Sequence, residues 1–358
     1  MDNYISLNEE LLEYALIGGT ILGGGGGGSI DIGRRAGRIA LDYTDLKLYD
    51  ISVLDDDDLI ATVSAVGAPA AVDQYIMPSD YIKTVQLLEK NTNQKISGII
   101  TNENGGAATI NGWIQSAILN IPLIDAPCNG RAHPTGKMGS MNLDYIDNFE
   151  SYQTFSGGNP EIGNNIEGFI KGDINKAAKF IRQASIYAGG LVAVARNPIN
   201  AKYVKENAAL NGIKHAIELG NKFSKGLKTS PAKAFEKIVS FLDGEIITEG
   251  IVSDLHLSTE DGFDVGNVKV GKYELTFWNE YMTLDNKGQR LYTFPDLIMT
   301  FDKYSGKPIT TAEIQKGQDI VVIATDKSNI KLGSTMFNYD LLAEVEKIID
   351  KDIVNFNL

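Results

Sequence analysis

The feature that most restricts the fold is a change of texture near residue 243. Before it, short apolar runs at 59–67 (LIATVSAVG), 97–101 and 121–127 alternate with stretches of helical spacing at 80–90 and 108–120. INKAAKFIRQAS, LVAVA and NAKYVKENAALNGIKHAIELGNKF carry the alternation to about residue 230. Strand followed by helix, repeated, builds an α/β layer with some parallel pairing. After residue 243, GEIITEGIVSDLHLS, GFDVGNVKVG, KYELTFWNEYMTLD, LYTFPDLIMTFD and QDIVVIATD read as five strands. Turn residues separate them, such as Asp285-Asn286-Lys287-Gly288 and Ser305-Gly306-Lys307-Pro308. An amphipathic helix at 339–350 closes the chain. The expected fold class is α/β: an N-terminal α/β domain over 1–240, with a mixed or parallel sheet, and a C-terminal β-rich domain over 241–358. A length of 358 residues fits two domains at about 150 residues each.

Charge narrows the partners. Asp+Glu total 46 against 33 Lys+Arg, a net of −13, which repels phosphate backbones and anionic lipid. No nucleic-acid or membrane partner is expected. The N-terminus MDNYISLNEELLEYAL has no basic region before an apolar core, so a cytoplasmic protein is expected. The single cysteine, Cys128, excludes an internal disulfide and a cysteine-based metal centre within one chain.

Residues 7–17 have helical spacing, and Gly18-Gly19 is expected to end that helix. Six glycines then run from Gly23 to Gly28, followed by Ser29. Without side chains, successive N–H groups can wrap an oxyanion or a ring carbonyl. The run is no dinucleotide fingerprint, which needs a strand before it, and it lacks the lysine of a P-loop. Gly25, Gly26, Gly27 and Ser29 are candidate ligand-lining residues; the plain alternative is a flexible turn.

Two further stretches each follow an apolar strand, where α/β sheets place ligands. Asn102-Glu103-Asn104-Gly105-Gly106 offers a carboxylate for a ring N–H and two glycines to close over it. Its alternative is a helix cap. Asp125-Ala126-Pro127-Cys128-Asn129-Gly130-Arg131-Ala132-His133-Pro134 is denser. Asp125 can orient water, Arg131 can grip a carboxylate, and His133 can move a proton. Asn129 adds an amide. Cys128 is a nucleophile or an inert buried thiol. A turn with a buried Asp–Arg pair is the alternative for the whole stretch. Glu280, inside FWNEYM, faces either an interdomain cleft or solvent. No HExxH or HxH spacing exists, and neither metal nor cofactor is expected.

Taken in order, ILGGGGGGS (21–29), VGAP (66–69), ENGG (103–106), LIDAPCNGRAHP (123–134), DGFDVGNVKV (261–270), FWNEYM (277–282) and FPDLIMTFDKYSGKPI (294–309) resemble the S-methyl-thiohydantoin desulfurase-like family. The resemblance implies an N-terminal α/β domain, a C-terminal β-rich domain and hydrolysis of hydantoin-like rings. It also implies association with hydantoinase or oxoprolinase-type proteins. Asp125, Gly130, Arg131, Ala132 and Pro134 match one family motif; Glu103, Gly105 and Gly106 match another. Pro127 stands where many relatives carry a second aspartate, and an asparagine near Ala108 is missing.

The expected function is hydrolysis of a small heterocycle, with methanethiol leaving an S-methyl-thiohydantoin. Asp125 is then the base, His133 the proton donor, Arg131 the anchor, with Glu103 beside them and the glycines as backbone donors. A reading of another class is a non-catalytic, heterocycle-binding subunit of a hydantoinase or oxoprolinase-type enzyme. A homo-oligomer is expected on general grounds.

Overall fold

The computed structural model describes residues 3–67, 71, 73–260 and 262–357. In chain order the N-terminal part contains β1 (Tyr4–Ser6), α1 (Glu9–Leu22), α2 (Ile30–Tyr43), β2 (Lys47–Tyr49), β3 (Leu59–Gly67), α3 (Pro78–Thr92), β4 (Gly98–Thr101), α4 (Trp113–Leu119) and β5 (Leu123–Ile124). It continues with β6 (Ser151–Gly157), β7 (Ile166–Gly172), α5 (Ile174–Tyr187), β8 (Leu191–Asn200), α6 (Ala201–Asn207), α7 (Gly212–Leu227) and α8 (Pro231–Leu242). Their strands form one mixed sheet in the order β1-β2-β5-β4-β3-β8-β6-β7. The run β2-β5-β4-β3 is parallel and the flanks are antiparallel. Because β3, β4 and β5 run the same way, the loops after them emerge at one end of the sheet, and ligands in α/β sheets gather there.

The C-terminal part contains β9 (Glu245–Glu260), β10 (Phe263–Val270), β11 (Tyr273–Trp278), β12 (Glu280–Asn286), β13 (Gln289–Thr293), β14 (Leu297–Asp302), β15 (Pro308–Ile309), β16 (Asp319–Thr325) and α9 (Tyr339–Ile349). They form a fully antiparallel sheet in the order β13-β12-β11-β10-β9-β16-β14-β15. The long β9 pairs with β10 and β16, and the sheet curls around Val252, Val268, Leu275, Phe277, Tyr281, Ile298 and Val322. The fold is therefore an N-terminal α/β domain with a mixed sheet and a C-terminal β-rich domain. Helices α1, α7 and α8 join them through Leu22, Phe223, Phe235, Leu297, Phe301 and Val321. Each such side chain contributes roughly 1.5–3 kcal/mol when withdrawn from water, which favours a single docked arrangement.

Several elements differ from the sequence expectation. Helix α1 does not stop at Gly18-Gly19. A Cβ on Gly18 would lie 1.8 Å from the Ala216 carbonyl oxygen, and one on Gly220 2.0 Å from that of Tyr14. These glycines let α1 and α7 touch backbone to backbone. The expected helix at 108–120 is interrupted at Gly112, whose φ of 96° leaves a single 3-10 turn before α4. Five expected C-terminal strands are eight among the described residues: KYELTFWNEYMTLD turns back at Asn279 (φ 55°), LYTFPDLIMTFD breaks at Pro295, and the two-residue β15 (Pro308–Ile309) adds an unexpected edge. Strand pairing after Ile121 is confined to Leu123–Ile124, so the dense motif that follows is loop. Among the described residues no helix is long and apolar enough to cross a membrane.

Candidate active site

The glycine run is a spacer stitched to three distant segments. The Gly24 carbonyl accepts from Tyr281 N (2.8 Å), that of Gly25 from Thr311 N (2.9 Å), and that of Gly27 from Ala107 N and Ala108 N (3.1 and 3.0 Å). Gly27, at φ 82°, lies so close to Gly105 that a Cβ on either would sit 2.3 Å from the other's Cα. A Cβ on Gly26 would lie 2.0 Å from Glu280 Oε1. The run thus draws the 103–106 loop and the β11–β12 turn against one another. Ser29 then caps α2, accepting from Asp31 N, and the helix's positive end borders the space they leave.

That space is a cavity of about 120 Å³. A cavity of about 150 Å³ accommodates a benzene ring, so this one suits a single small ring. Gly27, Gly28, Ser29, Glu103, His133 and Glu280 line it, with Arg182, Arg196, Asn102 and Asn279. Residues of five separate sequence motifs, ILGGGGGGS, VGAP, ENGG, LIDAPCNGRAHP and FWNEYM, therefore meet on one volume.

Its two carboxyl groups are buried. Glu103 Oε2 accepts from His133 N (3.1 Å) and lies 3.3 Å from His133 Nε2, without hydrogen-bond alignment. Glu280 is 2 % exposed, and its Oε2 has no hydrogen-bond partner. Burial raises the affinity of both for a proton; the charge of Glu103 raises Glu280 further, while the charges of Arg131 and Arg182 oppose this. Burial pushes His133 down to about 3, so its ring is neutral at neutral pH. Arg182 and Arg196 are pushed down by burial to about 10 and remain charged. Arg182 donates to the carbonyls of Gly262 and Pro134 (3.2 Å each) and stacks on Phe263. Arg196 donates to Ser64 Oγ, while its buried Nε has no partner.

The other expected residues stand away from the cavity lining. Asp125 reaches the N-terminus of α7, where it accepts from Ile213 N (2.7 Å) and Lys214 N (3.3 Å). Arg131 donates to the carbonyls of Pro295, Asp296 and Tyr281 and stacks on Phe294, behind Glu280. Cys128 is fully buried beside Thr62 Oγ1 (3.4 Å), and burial pushes its thiol up to about 11. Asn129 bridges Met138 O (2.8 Å) and Gly333 N (3.3 Å). Gly25, Gly26, Gly105 and Gly106 pack the loops together and do not line the cavity. Of VGAP, Val66 and Gly67 line it; Ala68 and Pro69 lie outside the described residues, as does Asp261 of DGFDVGNVKV. Among the described residues no three His, Cys, Asp or Glu side chains converge as metal ligands.

Sequence reading assigned no role to Arg182, Arg196, Asn102 or Asn279, although Asn102 and Asn279 lie in the stretches that carry Glu103 and Glu280. Arg196 carried a signal: it directly follows LVAVA, a charged residue in an otherwise buried strand. Arg182 carried none, since basic residues are ordinary on an amphipathic helix.

The placement of Asp125 has a measurable consequence. Burial pushes its carboxyl up to about 6, against the two N–H donors and Lys214. The folded protein then binds this proton more tightly than the unfolded chain does. The associated stability is complete below about pH 4 and is lost as pH rises through about 6. Asp125→Asn removes this dependence. Going from pH 4 to pH 7, its stability relative to wild type should improve by up to about 3 kcal/mol, read by urea melts at each pH.

Two family models match the chain. The model described as S-Me-THD-like, N-terminal domain, matches residues 10–159, and that described as S-Me-THD-like, C-terminal domain, matches 172–331. The second begins at the end of β7, so it includes α5 and β8, which carry Arg182 and Arg196. No curated protein matches. A crystal structure of a protein from Chromobacterium violaceum has the same fold, with a TM-score of 0.70 at 18 % identity over 96 % of each chain. With both halves of the family pattern present in order, the chain belongs to the S-Me-THD-like family.

Proposed function

We propose that the chain hydrolyses a hydantoin-like five-membered ring, with an S-methyl-thiohydantoin as substrate and methanethiol as leaving group. The observation that carries this reading is the pair of buried carboxyls, Glu103 and Glu280, facing one ring-sized cavity with two charged arginines. Glu103, whose proton affinity burial raises against the His133 amide, Arg196 and Arg182, is the carboxyl that, once ionised, takes a proton from water. The water oxygen bonds to the ring carbon bearing sulfur, and the pair of its carbon–nitrogen double bond moves onto the ring nitrogen. Glu280, kept neutral by burial and by Glu103, gives its proton to the departing sulfur. The carbon–sulfur bond breaks, methanethiol leaves, the hydroxyl proton passes to the ring nitrogen as the ring carbon becomes a carbonyl, and the proton on Glu103 returns to Glu280. Arg196 and Arg182 face the negative charge that develops on the ring. His133, neutral, orients Glu103.

Pro127 packs on Gly212 and does not line the cavity, so its departure from the family pattern leaves the acid–base pair in place. The test is mass-spectrometric turnover of hydantoins and S-methyl-thiohydantoins by the purified protein, with methanethiol trapped. Thiol release is expected, and it should fall about 10²–10⁴-fold in Glu103→Gln. Binding of a ring without any turnover would overturn the catalytic reading and favour a binding subunit. Asp125→Asn and Cys128→Ser should both keep wild-type turnover, since neither side chain lines the cavity.

A further inference from the structure

Strand β7 is the outer edge of the first sheet, and among the described residues nothing pairs with its free side. Soluble proteins usually blunt such edges. The other outer strands here are short: β1 has three residues, β13 five, and β15 two, beginning with Pro308. β7 has seven, IEGFIKG, and no proline.

Its sequence is complementary to itself when reversed. Glu167, Phe169 and Lys171 share one face, where Glu167 reaches Lys83 and Phe169 meets the Tyr152 ring at 6.1 Å. Ile166, Gly168 and Ile170 share the other, packed toward Phe155 beneath α5. Antiparallel pairing of two β7 strands about Phe169 sets Glu167 of each copy opposite Lys171 of the other. It sets Ile170 opposite Gly168, and Ile166 opposite Gly172, so each isoleucine meets a glycine, while Phe169 meets its own copy on the axis. Both charged side chains keep about half their surface, with Glu167 at 50 % and Lys171 at 45 %. Opposite charges directly across a strand pair are favourable and like charges are not.

We infer that the chain forms a two-fold dimer through β7, continuing the mixed sheet from one copy into the next. A single strand pair buries less than a stable dimer needs. Exposed Ile162, which precedes the strand, and Phe180 and Tyr187 on α5 supply further apolar surface. The inference rests on the edge and its charges and is independent of the proposed reaction.

Light scattering after size exclusion should give twice the 38.9 kDa chain mass. Glu167→Lys or Lys171→Glu alone should weaken the dimer at least tenfold, and the two together should restore it. Phe169→Cys places a thiol on the two-fold axis and should oxidise to a covalent dimer, with Cys128 too buried to compete. Circular dichroism melts verify that each variant is folded. A monomeric wild type overturns the inference. So does a dimer indifferent to the single charge reversals, or a folded Phe169→Cys variant that does not cross-link.

Discussion

Gly105→Ala should cost more than 4 kcal/mol and leave little folded protein at 37 °C, beyond the range of most single substitutions. The new Cβ would lie 2.3 Å from Gly27 Cα and 2.6 Å from the Gly27 carbonyl oxygen. Both are backbone, so no side chain can rotate away. The Gly27 loop cannot retreat either, because its neighbours Gly24 and Gly25 are hydrogen-bonded to Tyr281 and Thr311 in the other domain. Separating the loops breaks the bonds from Ala107 and Ala108 to Gly27 and opens the cavity beside Glu280. Gly27→Ala should behave alike, from the other side of the same contact. Gly163→Ala is the control. It too has positive φ, 75°, but nothing lies within 4 Å of its Cβ. It should cost only the about 1–2 kcal/mol of a left-handed L-residue. Denaturant melts of the three variants decide the matter; a Gly105 variant as stable as the Gly163 variant would show that the two loops are not locked.

That contact also explains what could be read in the sequence. Elements with a clean period were legible: β3, α3, α5, β8 and α9 all form where spacing places them. The hairpin at Asn279 was not, because FWNEYMTL stays apolar on both sides of the turn and only Asn279, at φ 55°, marks it. That turn is what aims Glu280 into the cavity. Strands β6 and β7 passed unread, lying in polar, glycine-bearing sequence without strong alternation. In the site, Glu103, His133, Glu280, Gly27 and Ser29 were legible as candidates and do line the cavity. The dense run from Asp125 to His133 was harder to read, since closeness along a loop does not fix where side chains face. There Asp125 turns to α7, Arg131 to Pro295 and Asp296, and His133 to Glu103. Arg182 and Arg196 come from a helix and a strand more than 45 positions after the motif they complete, and only the tertiary fold brings them there.

If the carboxyl pair performs acid–base chemistry, Glu103→Gln and Glu280→Gln should each lower turnover about 10²–10⁴-fold. The double variant should be little worse than either, since groups acting as a unit are not additive. The pH profile separates this from a packing role. Burial raises both carboxyls, and the charge of Glu103 raises Glu280 further, so the two protons leave in separate steps. The rate should rise as the first is lost, creating the base, and fall as the second is lost, removing the acid. Both limbs should lie above the ordinary glutamate value of about 4.3. In Glu280→Gln the alkaline limb should vanish, because an amide has no acidic proton to lose there. The acid limb should stay where it is, because Glu280 is still neutral when Glu103 ionises and glutamine is neutral too. A variant that had merely loosened the cavity would lower the rate and keep both limbs in place. An unchanged profile in Glu280→Gln would therefore remove Glu280 as the acid even if its turnover were low. Tight binding of the intact ring by the same variant would show that the cavity itself had survived.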